Sequence, residues 1–113
     1  MLKLIPSTQR ERNRYIVFEI VSKGKFDRNT VVRNVWNSVL NFIGESGASR
    51  TSLWVMDWNS EKQIGILKVN HRSVEDVRAS LAVVKEINNL PVIFHVIGVS
   101  GTLKSARSKY VNK

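Results

Sequence analysis

Two groups of basic side chains, one near each end of the chain, are the residues whose type and spacing could bind a charged partner. The first group alternates along a polar N-terminal segment at residues 10–14, and the second follows a short glycine turn near the C-terminus. Guanidinium and ammonium groups donate strong hydrogen bonds to phosphate oxygens. The sequence therefore predicts contacts to phosphate from Arg10, Arg12, Arg14, Lys104, Arg107 and Lys109.

The turn before the second group is expected to add backbone donors. An apolar, β-branched run from Pro91 leads into the segment Gly98-Val99-Ser100-Gly101, and Thr102 is suited to cap the basic helix that follows. Backbone N–H groups and the positive end of a helix dipole favour an anion, and glycine gives the turn conformational freedom. The alternative is that this segment is only a strand, a glycine turn and a solvated helix that bind no ligand. The predicted backbone contacts to phosphate are at Gly98, Ser100, Gly101 and Thr102.

The formal net charge of +9 is concentrated at the two ends of the chain. Residues 1–28 carry seven basic and three acidic side chains, residues 29–67 carry three of each, and residues 68–113 carry eight basic and three acidic. The net charges of the three parts are therefore +4, zero and +5. This distribution favours a polyanionic partner, most simply nucleic acid. Basic ends that only aid solubility are the alternative.

No arrangement of side chains in the sequence predicts catalysis by this chain. It has no cysteine, no glycine-rich phosphate loop, and no carboxylate pair or histidine cluster at the spacing of a hydrolase or a metal site. His95 lies in an apolar strand, where a hydrogen-bonded structural histidine is expected, and His71 lies in a polar turn. We therefore predict a binding protein with no catalytic residue, no metal site and no bound cofactor.

Hydrophobic periodicity predicts a single domain over residues 14–113, preceded by a basic flexible N-terminal tail at residues 1–13. The order of its elements is typical of the ferredoxin-like (split βαβ) fold, an α+β two-layer sandwich, here with an additional C-terminal basic helix. Strands are predicted at Tyr15–Val21, Ser52–Trp58, Gln63–Asn70 and from Pro91 to Gly98. The first helix is predicted to begin near Asp27 or Asn29 and to stop at Gly44 and Gly47, before a loop. The second helix is predicted to begin at Ser73, where Asp76 completes a capping box, and to end at Asn88-Asn89, and a basic helix follows Thr102.

Alternation along the predicted strands leaves both faces of the sheet apolar. On the second strand it places Leu53 and Val55 on one face and Trp54, Met56 and Trp58 on the other. Because two helices cover only one face, terminal segments or a partner protein are expected to cover the second. The C-terminal residues expected to cover part of it are Leu103, Ala106 and Tyr110.

The aromatic residues do not predict base stacking on the sheet. RNA-binding modules of this topology stack bases on aromatics of the first and third strands. The third strand, at residues 63–70, has none, and the first offers only Tyr15. Trp36 lies in the apolar stripe of the first helix and is predicted to be a core residue. RNA contact is therefore predicted to run through basic side chains and backbone to phosphate.

Four parts of the sequence, spread over nearly the whole chain, match a known family. They are Leu4–Arg10 with Arg14–Ile16, Val35–Asn37, Val74–Arg78 and Val96–Lys104. These segments resemble the archaeal ribonuclease P protein component 2 family, whose eukaryotic relatives are small subunits of ribonuclease P and of the mitochondrial-RNA-processing ribonuclease. The chain departs from the family in having Ile5-Pro6 where members have two prolines, and in its short C-terminal tail.

The resemblance implies a protein subunit of ribonuclease P, the ribonucleoprotein that removes the 5′ leader of precursor tRNA. In that enzyme the RNA subunit performs the chemistry with magnesium, so the isolated chain is expected to support the RNA. The implied partners are the ribonuclease P RNA, ribonuclease P protein component 3, other ribonuclease P proteins and, in the holoenzyme, precursor tRNA; a homodimer is left open. No apolar run is long enough to span a membrane, so a cytoplasmic protein without a membrane partner is expected.

Two other functions remain open at this point. A ferredoxin-like protein-interaction module without a specific RNA function would bind a protein through its apolar face and use its basic ends for solubility. A small-molecule sensor of the same fold is the second alternative, although no residues in the sequence predict a ligand site.

Overall fold

A ten-residue strand, β1 (Asn13–Ser22), lies at the centre of the sheet in the computed structural model, which describes residues 12–111. No helix in that range is long and apolar enough to cross a membrane. The elements after β1 are helix α1 (Arg28–Ser49), strands β2 (Trp54–Asn59) and β3 (Ile64–Asn70), a 3₁₀ turn (His71–Ser73), helix α2 (Val74–Ala82), strands β4 (Glu86–Ile87) and β5 (Leu90–Ser100), and helix α3 (Leu103–Ala106), which continues into a π-helical turn (Arg107–Val111).

All strand pairs are antiparallel, and the strand order is β2-β3-β1-β5-β4. Without the two-residue β4, this is the order of the four strands in the ferredoxin-like fold. Buried side chains of α1 and α2 form one cluster with one face of the sheet. The predicted α+β class and the ferredoxin-like sandwich are therefore confirmed.

Phe18 lies at the centre of the core between the sheet and the helices. Its buried ring stacks on Trp58, with ring centroids 5.9 Å apart, and on Phe94, with centroids 5.7 Å apart. Gly65 pairs with Phe18 across β1 and β3, and a Cβ at residue 65 would lie 2.8 Å from both Phe18 Cζ and Trp58 Cε3. The close approach of the β3 backbone to these rings therefore requires glycine at this position.

Replacing Gly65 with alanine should lower the free energy of unfolding by about 1–3 kcal/mol, because the new methyl group overlaps buried rings. Gly101→Ala is the matched control, since a Cβ at residue 101 meets no atom within 4 Å. Urea unfolding of the two variants and the native chain measures the difference. Equal stability of the two variants would contradict this packing.

Helix α1 begins where predicted but ends later. Asp27 is its N-cap, and the carboxylate accepts a hydrogen bond from the backbone N–H of Thr30 at 2.9 Å. Gly44, with φ of 76° and ψ of 173°, interrupts the helical backbone as predicted, but helical geometry then resumes. The predicted loop after Gly44 is therefore wrong. Burial explains the continuation, because the Thr51 hydroxyl donates to the carbonyl of buried Ala48 at 2.7 Å and holds the last turn in the core.

The predicted core position of Trp36 is wrong. Val31, Val35 and Val39 are at most 1% exposed, whereas Trp36 is 39% and Val32 is 37% exposed. The first three residues form the row of α1 that faces the sheet. The neighbouring row lies at the flank of the sandwich beside the edge strand β2. Val32 and Trp36 are therefore exposed, whereas Leu40 and Ile43, farther along the same side of α1, are partly buried against the core.

Helix α2 is shorter than predicted. It ends at Ala82, and Asn88-Asn89 form the two-residue turn of a hairpin between β4 and β5, with φ of 52° and 68°. Asparagine tolerates this left-handed conformation better than most residues. Asn88-Asn89, predicted to end a helix, therefore form the turn that lets the additional strand β4 pair with β5. The predicted capping box is also wrong, because Ser73 occupies the N-cap position but its side chain makes no capping hydrogen bond.

Strand β5 is longer than predicted. Residues 98–100 pair with residues 15–17 of β1, so the predicted turn at residues 98–101 is wrong. The chain turns only at Gly101 and Thr102. The register shifts between Val17 and Phe18, which leaves Ile97 as the extra residue of a β-bulge.

A second bulge changes which residues of β2 face the helices. Residues 55 and 57 pair with consecutive β3 residues, 67 and 66, so Met56 is the extra residue. The alternation reverses after it. Trp58 therefore stacks on Phe18 on the helix side, which corrects its predicted position beside Trp54 and Met56. Asp57 lies on the opposite face of the sheet.

The C-terminal helix covers part of the second face of the sheet, as predicted. Ala106 is fully buried and packs with Val17 and Ile66, and the half-buried Leu103 joins the same cluster. The side chain of Tyr110, predicted to contribute, lies outside the described residues.

Candidate nucleic-acid interface

The register of the sheet gathers four arginines at one end of the molecule. β1 begins where β3 ends, because Asn13 pairs with Asn70, and β5 ends beside the same point, because Tyr15 pairs with Ser100. Helix α1 also ends there, since the backbone N–H of Asn70 donates to the Thr51 carbonyl at 2.8 Å. We call this surface the arginine end, and its residues are Arg12, Arg14, Arg50 and Arg72.

The backbone holds these arginines in place and leaves their charges available. The Arg12 carbonyl accepts from the backbone N–H of His71 at 2.7 Å, and the Arg50 carbonyl accepts from the side-chain amide of Asn70. Three of the four arginine residues are exposed, and Arg14 is half-buried. Within residues 12–111, none of the four guanidinium groups has a carboxylate at salt-bridge distance. Guanidinium groups in this state are suited to bind phosphate.

Two of the predicted site residues, Arg12 and Arg14, lie at the arginine end. Arg10 is outside the described residues. Arg50 and Arg72 were not among the predicted site residues. A topological signal could have found them, because in the ferredoxin-like fold the end of the first helix and the end of the third strand lie beside the start of the first strand.

The predicted anion site at the glycine turn is not formed in the expected way. Gly98 and Ser100 lie within β5, and Ser100 is buried. Gly101 does not adopt a left-handed conformation, so the predicted need for its conformational freedom is wrong. Thr102 caps α3 as predicted, with its hydroxyl accepting from the Ser105 N–H at 3.1 Å. This helix is a single turn, so its dipole is weak. Phosphate contacts at these residues stay a prediction.

Arg107 of the second predicted group has an intramolecular partner. Its Nε lies 2.7 Å from Asp57 Oδ2 and its Nη2 lies 2.8 Å from Oδ1, a bidentate ion pair. These hydrogen bonds hold the pKa of Asp57 below its ordinary value, although burial opposes the shift, and they raise the pKa of Arg107. The pair joins the C-terminal helix to β2. Lys104 and Lys109 are exposed, and RNA contact by all three residues stays a prediction.

The Asp57–Arg107 pair should make a small contribution to stability at neutral pH, because solvent screens a partly exposed pair, so Asp57→Asn should lower the free energy of unfolding slightly. Because the folded-state pKa of Asp57 is depressed, this contribution is present above the unfolded pKa and is lost as the pH falls through the folded one. Urea unfolding of both proteins from about pH 7 down to about pH 2 measures it. A stability difference that does not shrink below about pH 4 would contradict this assignment.

A cross-strand row beside the arginine end combines a cation with two aromatic residues. Lys68 of β3 pairs with Trp54 of β2 on one side and Tyr15 of β1 on the other. Trp54 is 63% exposed, and the other two are half-buried. An exposed indole next to a cation provides a surface on which a base can stack. The pattern of the first and third strands did not reveal it, because Trp54 lies on the edge strand.

Both histidines are hydrogen-bonded to other parts of the fold. His95 Nδ1 lies 2.9 Å from Glu19 Oε1, and His71 Nδ1 lies 3.2 Å from the Arg12 carbonyl. His95 is satisfied as predicted, but by a partner at the surface, where 60% of its side chain is exposed. In the described part of the chain, no group of three or more His, Cys, Asp or Glu side chains is placed to hold a metal ion.

Comparisons with known proteins give a match to one family and to one fold. A family model described as the Rpp14/Pop5 family matches residues 14–111. Ribonuclease P protein component 2 of Thermococcus kodakarensis is 35% identical over 109 residues, covering 96% of this chain and 91% of the relative. The protein of the same name from Pyrococcus horikoshii is 37% identical over 112 residues, covering 99% and 93%. A chain in the cryo-EM structure of yeast ribonuclease MRP has the same fold, with a TM-score of 0.68 at 12% identity, covering 83% of this chain and 77% of that chain.

Proposed function

Because the chain belongs to the Rpp14/Pop5 family, we propose that it is a protein subunit of ribonuclease P, the ribonucleoprotein that removes the 5′ leader of precursor tRNA. The observation that carries this proposal is the match over almost the full length to relatives named ribonuclease P protein component 2. The chemistry is assigned to the RNA subunit with its magnesium. This chain binds that RNA and stabilises its active conformation.

The arginine end is the surface we assign to the RNA. The four arginines lie within or directly next to three different elements, so the fold fixes the relative positions of their backbones before any RNA binds. Side chains that contact phosphate set the position of a protein on RNA without reading sequence.

An apolar groove between α1 and β2 is the surface we assign to a protein partner, ribonuclease P protein component 3. The groove has a volume of about 330 Å³, and Trp36 and Trp54 line it together with Val32. Arg28 also lines it, but its guanidinium donates to the Val55 carbonyl at 2.6 Å and is used within the fold. Exposed apolar side chains grouped in this way are typical of a protein interface.

The other proposed associations follow from the same role. In the holoenzyme the chain lies with the remaining ribonuclease P proteins and with precursor tRNA, in the cytoplasm. The alternative occupant of the apolar groove is a second copy of this chain, which would form a homodimer.

Trp36→Ser should weaken binding of component 3 by about 30-fold or more, because a tryptophan buried at an interface contributes about 2 kcal/mol or more to affinity. Phe42→Ser is the matched control, since Phe42 is also an exposed aromatic of α1, 47% exposed, but lies outside this groove. Calorimetric titration of purified component 3 with each variant gives the affinities. Equal affinities for the two variants would remove the groove from the interface.

Selective binding of the ribonuclease P RNA tests the proposed function directly. The full chain should bind that RNA more tightly than an unrelated structured RNA of equal length, in gel-shift titrations at fixed salt. Equal and weak binding to both RNAs, by a folded chain that binds component 3, would indicate the protein-interaction module instead.

A further inference from the structure

The last turn of α1, which leads directly into Arg50, is separated from the rest of the helix. Gly44 interrupts the helical backbone with φ of 76° and ψ of 173°, and residues 45–49 are helical again. Glycine has more backbone freedom than any other residue, and a Cβ at residue 44 would meet no atom within 4 Å. The axis of α1 alone therefore does not fix the position of Arg50, and contacts from elsewhere in the fold must do so.

Asn70, the last residue of β3, supplies two of these contacts. Its backbone N–H donates to the Thr51 carbonyl at 2.8 Å, and its side-chain Nδ2 donates to the Arg50 carbonyl. Burial restricts this side chain, because Asn70 is only 4% exposed. Strand β3 is paired on both sides, so Asn70 belongs to a well-supported part of the sheet. Two consecutive carbonyls at the end of α1 are therefore fixed to the end of β3.

The guanidinium group of Arg50 is oriented within its own turn. Its Nη2 donates to the Ser46 hydroxyl at 3.1 Å, and this neutral partner leaves the positive charge available. Arg50 is thus held at its carbonyl by Asn70 and at its guanidinium group by Ser46. Arg72 lines the same pocket of about 310 Å³ as Arg50 and Asn70. The hydrogen bond from Asn70 therefore also sets the position of Arg50 relative to Arg72.

We propose that Asn70 is a positioning residue for RNA binding, because its side-chain amide holds the Arg50 carbonyl and thereby sets Arg50 beside the other three residues of the arginine end. This inference rests on the RNA-binding function proposed above. A buried, uncharged side chain then controls one of the phosphate contacts. An asparagine with only a structural role would change the stability of the chain and leave the RNA affinity of the folded protein unaltered.

The test is a double-mutant cycle with Asn70→Leu and Arg50→Ala, measured by gel shifts with the ribonuclease P RNA at several salt concentrations. Arg50→Ala should weaken binding about fourfold at about 0.15 M salt and flatten the log–log salt slope by about 0.7, the effect of one lost phosphate contact. Asn70→Leu should produce the same two changes, although it removes no charge. In the Arg50→Ala background, Asn70→Leu should alter neither the affinity nor the slope.

Gln63→Met is the matched control, because Gln63 is a buried amide next to the other end of β3. It is 6% exposed, and its side-chain amide exchanges hydrogen bonds with the backbone of Phe26. This variant should lose stability and bind the RNA like the native chain. If Asn70→Leu does not fold, Asn70→Ser is measured in its place, since the shorter serine side chain has no amide to hold the Arg50 carbonyl.

The outcomes separate this inference from the function on which it rests. Native affinity and slope for folded Asn70→Leu, with weaker binding for Arg50→Ala, would overturn the positioning role and leave the proposed function standing. Losses that multiply in the double variant, an equal loss in Gln63→Met, or an unchanged affinity of Arg50→Ala would also overturn it. If the native chain binds the ribonuclease P RNA no better than an unrelated structured RNA, the proposed function fails as well.

Discussion

Replacing Arg12, Arg14, Arg50 and Arg72 together with alanine is expected to weaken binding of the ribonuclease P RNA by roughly 300-fold at about 0.15 M salt. Each phosphate contact adds about 0.7–0.9 to the slope of log affinity against log salt concentration, so four lost contacts flatten this slope by about three. If the native chain and the variant bind equally at about 1 M salt, a slope difference of about three makes the variant roughly 300-fold weaker at about 0.15 M salt. Filter binding or gel shifts at several salt concentrations measure both quantities.

A second variant with the same change in net charge distinguishes the loss of the arginine end from a general loss of electrostatic attraction to RNA. Four exposed basic residues lie towards the opposite end of the sheet, where β1 ends and β5 begins. Their replacement by alanine should change the affinity and the salt slope far less. Equal losses in the two variants would show that the RNA responds to overall charge and not to the arginine end. The residues of this control are Lys23, Lys25, Arg33 and Lys85.

Phe18→Ala is expected to lower the free energy of unfolding by about 3–5 kcal/mol, because it removes a fully buried ring and leaves a cavity between Trp58 and Phe94. Small domains have a total stability of only about 5–15 kcal/mol. The variant should therefore unfold at a temperature at least roughly 12 °C lower. Calorimetry or urea unfolding measures the loss.

Phe42→Ala is the control for this change, because it removes the same ring from a position that is 47% exposed. Its effect should be below about 1 kcal/mol. A loss for Phe18→Ala no larger than that for Phe42→Ala would contradict the central place of the three-ring stack in the core.

The parts of the fold with regular alternation could be predicted from the sequence, and the parts that depend on bulges could not. Along β1, Ile16 and Phe18 face the helices at the regular spacing of two residues that a strand gives. On β2, one extra residue at Met56 reverses the alternation, so Trp58 joins the core and Asp57 meets Arg107. No local preference of these residues marks the bulge, because the pairing with β3 creates it.

The residues of the candidate site were likewise predictable only in part, because local sequence patterns indicate some of them and the tertiary fold alone brings the others together. The basic character of the chain and two arginines of the arginine end were visible as a charge pattern. Arg50 and Arg72 follow elements that are far apart in the sequence, so no local pattern groups them, and the topology of the fold brings them beside Arg12 and Arg14. The partner of Arg107 was also not predictable, since Asp57 is 50 residues away in the chain. The Asn88-Asn89 pair did carry a local signal, but it marked a hairpin instead of the end of a helix.

Single-turnover cleavage of precursor tRNA tests most directly whether the chain supports the catalytic RNA through its arginine end. The cognate ribonuclease P RNA and component 3 are combined at limiting magnesium, with the native chain, with the arginine-end variant, with the control variant of equal charge, or without the chain. We expect a large gain in rate from the native chain and the control variant, little gain from the arginine-end variant, and partial recovery of that variant at higher magnesium. No gain from a folded native chain that still binds component 3 would contradict this role and leave a protein-interaction module.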